Sequence, residues 1–138
     1  MNPQYEEDFH AWLESQIQLI KNKEFEKLDT EHLLEEMETL GNSEKYALES
    51  FLMRTMQHML KWQYQPGKRT NSWKKSIEHH RNKANKVLNE NPGIKQFLNN
   101  IFLEAYEDAR LEASDETGIE LDLFPEKSPW SIDEVLGE

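Results

Sequence analysis

Glu44, His58 and His80 are the residues whose types and positions could carry chemistry, because helical spacing sets each of them among apolar neighbours. Each helical residue advances about 100° around the axis. If a helix keeps its phase across Gly41, Glu44 and Thr55 fall near the centre of its apolar stripe and His58 falls on the edge. On the following helix His80 lies between Ile77 and Ala84, whereas His79 points away. Farther along, Glu112 and Glu116 continue a stripe where apolar residues run out. A buried carboxylate or imidazole without a partner is costly, so Glu44, His58 and His80 are expected to meet in one polar cluster. His with carboxylate suits zinc, iron or proton transfer. The same three residues equally make a satisfied network that fixes helix register, and that structural reading is preferred.

A second feature is electrostatic. Between Lys61 and Lys86 lie eight of the sixteen basic residues against one acid, Glu78, so this stretch carries +7 while the remainder carries -18. Trp62, Tyr64 and Trp73 interleave with the basic side chains, as on some single-strand nucleic-acid surfaces. A total charge of -11 opposes approach to a polyanion, so nucleic-acid binding through residues 61–86 ranks below two other readings. One is internal packing of a basic helix beside acidic ones. The other is a protein partner, acidic or phosphorylated, that docks on Lys68 and Arg69 and takes apolar area from Trp62, Tyr64 and Trp73.

Signatures of enzymes are missing. The five glycines are scattered and form no phosphate-binding loop, and there is neither a Gly-x-Ser-x-Gly elbow nor a His-Glu-x-x-His pair. A di-iron carboxylate bundle needs two Glu-x-x-His pairs and two further Glu. Only Glu7-x-x-His10 is present, in the first turns of the chain. The acidic runs Glu6-Glu7-Asp8 and Glu35-Glu36 with Glu38 read as solvated helix faces. No motif identifies a cofactor.

The elements that must position these residues are all helical. Apolar residues recur at helical spacing almost throughout. A first helix is expected from Pro3 to Lys23, with Phe9, Leu13, Ile17 and Ile20 on one stripe. Asp29 or Thr30 caps a second that carries Leu33, Leu34, Met37 and Leu40 and continues in phase to Trp62, kinked or briefly interrupted near Gly41. Pro66-Gly67 ends it. Asn71 or Ser72 opens a third, with Trp73, Ile77, Ala84, Val87 and Leu88 inward. Asn91-Pro92 starts a fourth, which stops at Gly118. Residues 119–129 form an extended strap, and Ser131 with Glu134 makes a capping box for a short last helix, Ile132 to Leu136, stapled by Trp130 and Val135. The sum is an all-α, antiparallel four- to five-helix bundle over residues 1–138, read as one domain.

Five segments in order, YEEDFHAWLESQIQLI, LLEEMETLGNSEKYALESFL, HMLKWQYQPGKRTNSW, EAYEDARLEASDETGIEL and FPEKSPWSIDEVL, resemble the bacterial domain-of-unknown-function family numbered 29, which is abundant in cyanobacteria. The resemblance spans nearly the whole chain, and residues 58–66 are its most specific part. It implies an all-helical bacterial protein and brings no activity or catalytic residues.

The expected setting is cytoplasmic. There is no cysteine, the acidic start lacks a secretory pattern, and no stretch approaches the roughly 18 apolar residues of a membrane span. The leading expectation for function is a non-enzymatic interaction or regulatory module with a protein partner. A metal-dependent or acid–base enzyme built on Glu44, His58 and His80 is the alternative. A homodimer through an exposed stripe on the first or last helix is the alternative to a monomer.

Overall fold

The computed structural model describes residues 3–138. It is all-α, 83% helical, with no strand among the described residues. The described residues form six α-helices, α1 (Pro3–Glu7), α2 (Phe9–Lys21), α3 (Thr30–Tyr64), α4 (Asn71–Glu90), α5 (Leu98–Thr117) and α6 (Ile132–Leu136). Internal contacts divide the chain into two compact units, residues 1–42 and 43–138, with α3 contributing to both.

In the first unit the expected single helix is split. Asp8 leaves helical geometry and its carboxylate accepts from the Ala11 N–H at 3.0 Å, so it caps α2. The helix ends where Lys23 turns left-handed (φ 58°), its N–H donating to Ile20 and that of Glu24 to Leu19. The buried face of α2 is not the expected stripe. Trp12 is fully buried and Gln16 almost so, whereas Phe9 and Ile20 are exposed. The reason is hydrogen bonding: the Trp12 indole donates to Asp29 at 2.9 Å, and the Gln16 side-chain carbonyl accepts from the Asp29 N–H at 2.8 Å. Asp29 in turn accepts from the His32 N–H and so begins α3.

In the second unit three long helix segments run up, down and up. Lys45 on α3 sits over the Phe97 ring just before α5, while Lys61, four turns on, meets Trp73 at the start of α4 and Glu116 near the end of α5. α3 and α5 are therefore parallel, with α4 antiparallel to both. The buried stripe on α3 is Leu48, Leu52, Met56 and Leu60, packed with Ala84 and Leu88 of α4 and Phe102, Ala105 and Ala109 of α5.

Several boundaries differ from expectation by a residue or a turn. α3 passes through Gly41 without interruption. Thr70, not Asn71 or Ser72, caps α4 by accepting from the Trp73 N–H. Pro92–Phe97 forms a 3₁₀ turn before α5 instead of its first turn. The end of α5 is as read: Gly118 closes it in the left-handed region (φ 77°). The strap contains one 3₁₀ turn, Leu121–Leu123, and α5 holds it down. Tyr106 donates to the Pro125 carbonyl at 2.6 Å, and Arg110 donates to those of Leu121 and Phe124. The capping box at Ser131 and Glu134 and the helix Ile132–Leu136 form as read.

Candidate functional site

The segment that ends α3 folds back on itself and builds a groove. After Tyr64 the 3₁₀ turn Pro66–Lys68 reverses the chain, which returns Arg69 to the last turn of the helix. There its Nε donates to the Trp62 carbonyl at 2.7 Å, and its guanidinium carbon lies 4.8 Å from the centre of the Trp62 ring. Across from it, Arg81 of α4 donates through Nε to the Val135 carbonyl at 2.7 Å, and Asn85 donates to Leu136. These two side chains satisfy the orphan carbonyls at the end of α6, where a cation also suits the helix dipole.

Between the arginines lies an open cavity of about 280 Å³, walled by Met59, Ile77, Trp62 and Trp130. Each guanidinium is held through Nε, and among the described residues its terminal nitrogens take no hydrogen-bond partner. Among the described residues neither arginine lies within ion-pair distance of a carboxylate. The arrangement is an apolar floor with two oriented, uncompensated cations at its rim. Terminal guanidinium nitrogens above an apolar floor have the geometry to donate to an anionic oxygen group.

Of the five residues expected to meet a partner, Trp62 and Arg69 line this groove, and Lys68 is exposed on the adjoining turn. Tyr64 and Trp73 are engaged elsewhere. Tyr64 packs edge-on against Phe124 at 5.0 Å, and Trp73 covers the Lys61 ammonium at 4.6 Å. Lys61, counted among the eight basic residues of the 61–86 stretch, is buried and paired with Glu116 at 2.7 Å. Gln57 donates to the other Glu116 oxygen at 2.7 Å and accepts from Arg54. The Lys61 hydrogen bond holds the Glu116 carboxyl below its usual range against the opposing effect of burial. This Arg54–Gln57–Glu116–Lys61 chain is a satisfied polar network between α3 and α5, distinct from the expected cluster of Glu44, His58 and His80.

The expected trio of Glu44, His58 and His80 is corrected to a pair. Glu44 is exposed, and fourteen residues of helix, about 21 Å, separate it from His58. His58 and His80 do meet, with ring centres 6.2 Å apart and planes within 15°. Each donates Nδ1–H to a carbonyl one turn back, Arg54 and Ser76 respectively, at 2.8 Å. Among the described residues no three His, Asp or Glu side chains are grouped to hold a metal ion.

Two groups escaped the sequence reading. Arg81, one of the basic residues of the 61–86 stretch, and Trp130, the staple of the last helix, complete the groove. Asp29 and His32, read as a cap and passed over, form a tight pair in the first unit. His32 Nδ1 donates to Asp29 at 2.8 Å, and the ring stacks on Tyr5 at 3.9 Å. Burial pushes the Asp29 carboxyl up, but hydrogen bonds from His32 and Trp12 outweigh it and hold it below its usual value. The same bond to Asp29 raises the His32 imidazole. The Tyr5 hydroxyl donates to Glu36, which with burial pushes its pKa up to about 12. The i, i+3 spacing of Asp29 and His32 in a first helical turn was the available signal.

A family model described as "Domain of unknown function DUF29" matches residues 4–138, and the chain belongs to that family. No curated protein and no solved structure matches it.

Proposed function

We propose that this member of the family is a protein-interaction module whose second unit captures an acidic peptide segment carrying an apolar anchor. The observation that carries the reading is the pair of arginines, Arg69 and Arg81, fixed through Nε on either side of the Trp62–Trp130 groove and unpaired with any carboxylate of the described residues. In a chain of net charge -11, two cations left uncompensated beside two half-buried indoles fit an external anion better than an internal one. Trp and Arg are also the side chains that most often carry binding energy at interfaces. A cytoplasmic setting fits this reading: there is no cysteine, and among the described residues no helix is long and apolar enough to cross a membrane.

The test is a titration with a fluorescent peptide in which one leucine is flanked by glutamates. Arg69→Glu should weaken binding about tenfold or more, because it replaces an attractive contact with a repulsive one. The same peptide with glutamines should bind as weakly as the variant. If the variant and the glutamine peptide both bind like the wild-type pair, the groove is not an acidic-peptide site. If inorganic phosphate at low millimolar concentration displaces the peptide completely, the groove reads the anion alone and the apolar anchor is superfluous.

A further inference from the structure

The first unit presents an apolar surface of its own. Leu34, Met37 and Leu40 of α3 are 58%, 66% and 72% exposed, although their spacing is that of a core stripe. In the helix wheel Leu34, Met37 and Leu40 cover about 120°. Burial on this helix falls instead near its start, where His32 is buried and Leu33 and Glu36 are half-buried. Three large side chains on one face, each more than half in water, form the kind of patch that marks an interaction surface.

Charge decides what fits it. From Thr30 to Asn42 the helix holds Glu31, Glu35, Glu36 and Glu38 and no lysine or arginine. Glu31 and Glu38 flank the apolar strip on one side, and Glu35 lies just beyond them. The Tyr5 hydroxyl donates to Glu36 and, at 3.4 Å, to Glu35, while Glu31, Glu35 and Glu38 are exposed and make no ion pair among the described residues. A second copy of this strip would bring like charges together, which costs association free energy. A polyanion or an anionic membrane would be repelled for the same reason.

We propose that the Leu34–Met37–Leu40 strip docks a basic amphipathic helix of a partner protein, its leucine-type residues laid along the strip and its lysines or arginines facing Glu31, Glu35 and Glu38. This is helix-on-helix recognition with anchors spaced i, i+3 and i+6. It involves a different unit, a different charge and a different partner chemistry from the Trp62–Trp130 groove, and stands independently of it.

The experiment uses the full chain and a synthetic 18-residue peptide of leucine and lysine patterned for one apolar helical face, with a scrambled peptide of identical composition as control. Binding is read by fluorescence anisotropy. The patterned peptide should bind and the scrambled one should bind at least about tenfold more weakly. The triple variant Leu34→Ser, Met37→Ser, Leu40→Ser, which alters only exposed positions and keeps the charge, should lose about tenfold or more for the patterned peptide. Glu31→Gln, Glu35→Gln, Glu38→Gln should weaken binding and flatten its salt dependence, whereas the Arg69→Glu groove variant should bind normally. Equal binding by the triple serine variant or by the scrambled peptide would overturn the proposal. So would a wild-type dimer that the serine variant abolishes, because the occupant would then be a second copy.

Discussion

At the scale of single residues, His58 and His32 respond to protonation in opposite senses. Burial is the main reason that His58 lies below the ordinary imidazole value of 6.5, and the charges of Lys61 and His80 add to it against the hydrogen bond to Arg54 and the charge of Glu116. His32 lies above that value because Asp29 accepts its proton. A lowered folded-state pKa means that the unfolded chain binds the proton first, so His58 takes stability away as pH falls below about 6.5. A raised one means that His32 contributes stability fully below 6.5 and loses it as pH rises through its folded value. The expected outcome for His58→Gln is a melting temperature that gains on the wild type as pH drops from 7.5 to 5.5. A pH-independent difference in parallel melts would show that His58 carries no protonation cost. The pairing of His58 with His80 was legible from helical phase. The isolation of Glu44 was not, because phase gives the angle around an axis and leaves out which neighbouring helix is present at that height.

At the scale of elements, what could be read was whatever local chemistry sets. The αL stop at Gly118 and the capping box of α6 follow from side chains within four residues. The split between α1 and α2 turned on Asp8 acting as a cap inside an acidic run that looked like a simple dipole partner. The burial of α2 turned on Trp12 seeking Asp29, seventeen residues away, which no periodicity contains. Three glycines separate these influences quantitatively. Gly41 has φ in the helical range and open space around it, so Gly41→Ala should stabilise α3 by about 0.5–1 kcal/mol. Gly118 and Gly137 both have φ near +78°. Gly118→Ala meets nothing and should cost about 1–2 kcal/mol of conformational strain. Gly137→Ala would also set a methyl 2.8 Å from the Arg81 Cδ, so it should cost more and loosen the Arg81 grip on α6. Denaturant midpoints of the three variants check the order, which fails if Gly137→Ala is the milder of the two left-handed substitutions.

At the scale of the whole molecule, charge is sorted more finely than the total of -11 suggests. The basic stretch 61–86 was visible as a block, but the fold uses its members differently. Lys61 is neutralised inside by Glu116, Arg69 and Arg81 are aimed at the groove, and Lys74, Lys75, Lys83 and Lys86 remain in solvent. Sequence order could name the cations but could not say which carboxylates would reach them. Sorted in this way, the cations leave the groove between Arg69 and Arg81 as the proposed seat of an acidic, apolar-anchored segment. The chain has four tryptophans, of which Trp62 and Trp130 line the groove while Trp12 and Trp73 do not. The most direct measurement follows the four indole N–H signals in a nitrogen-15 NMR titration with the leucine–glutamate peptide. Peptide seated in the groove moves the signals of Trp62 and Trp130 along one saturating curve and leaves that of Trp12 in place. Saturable binding that leaves Trp62 and Trp130 unmoved would contradict that seating.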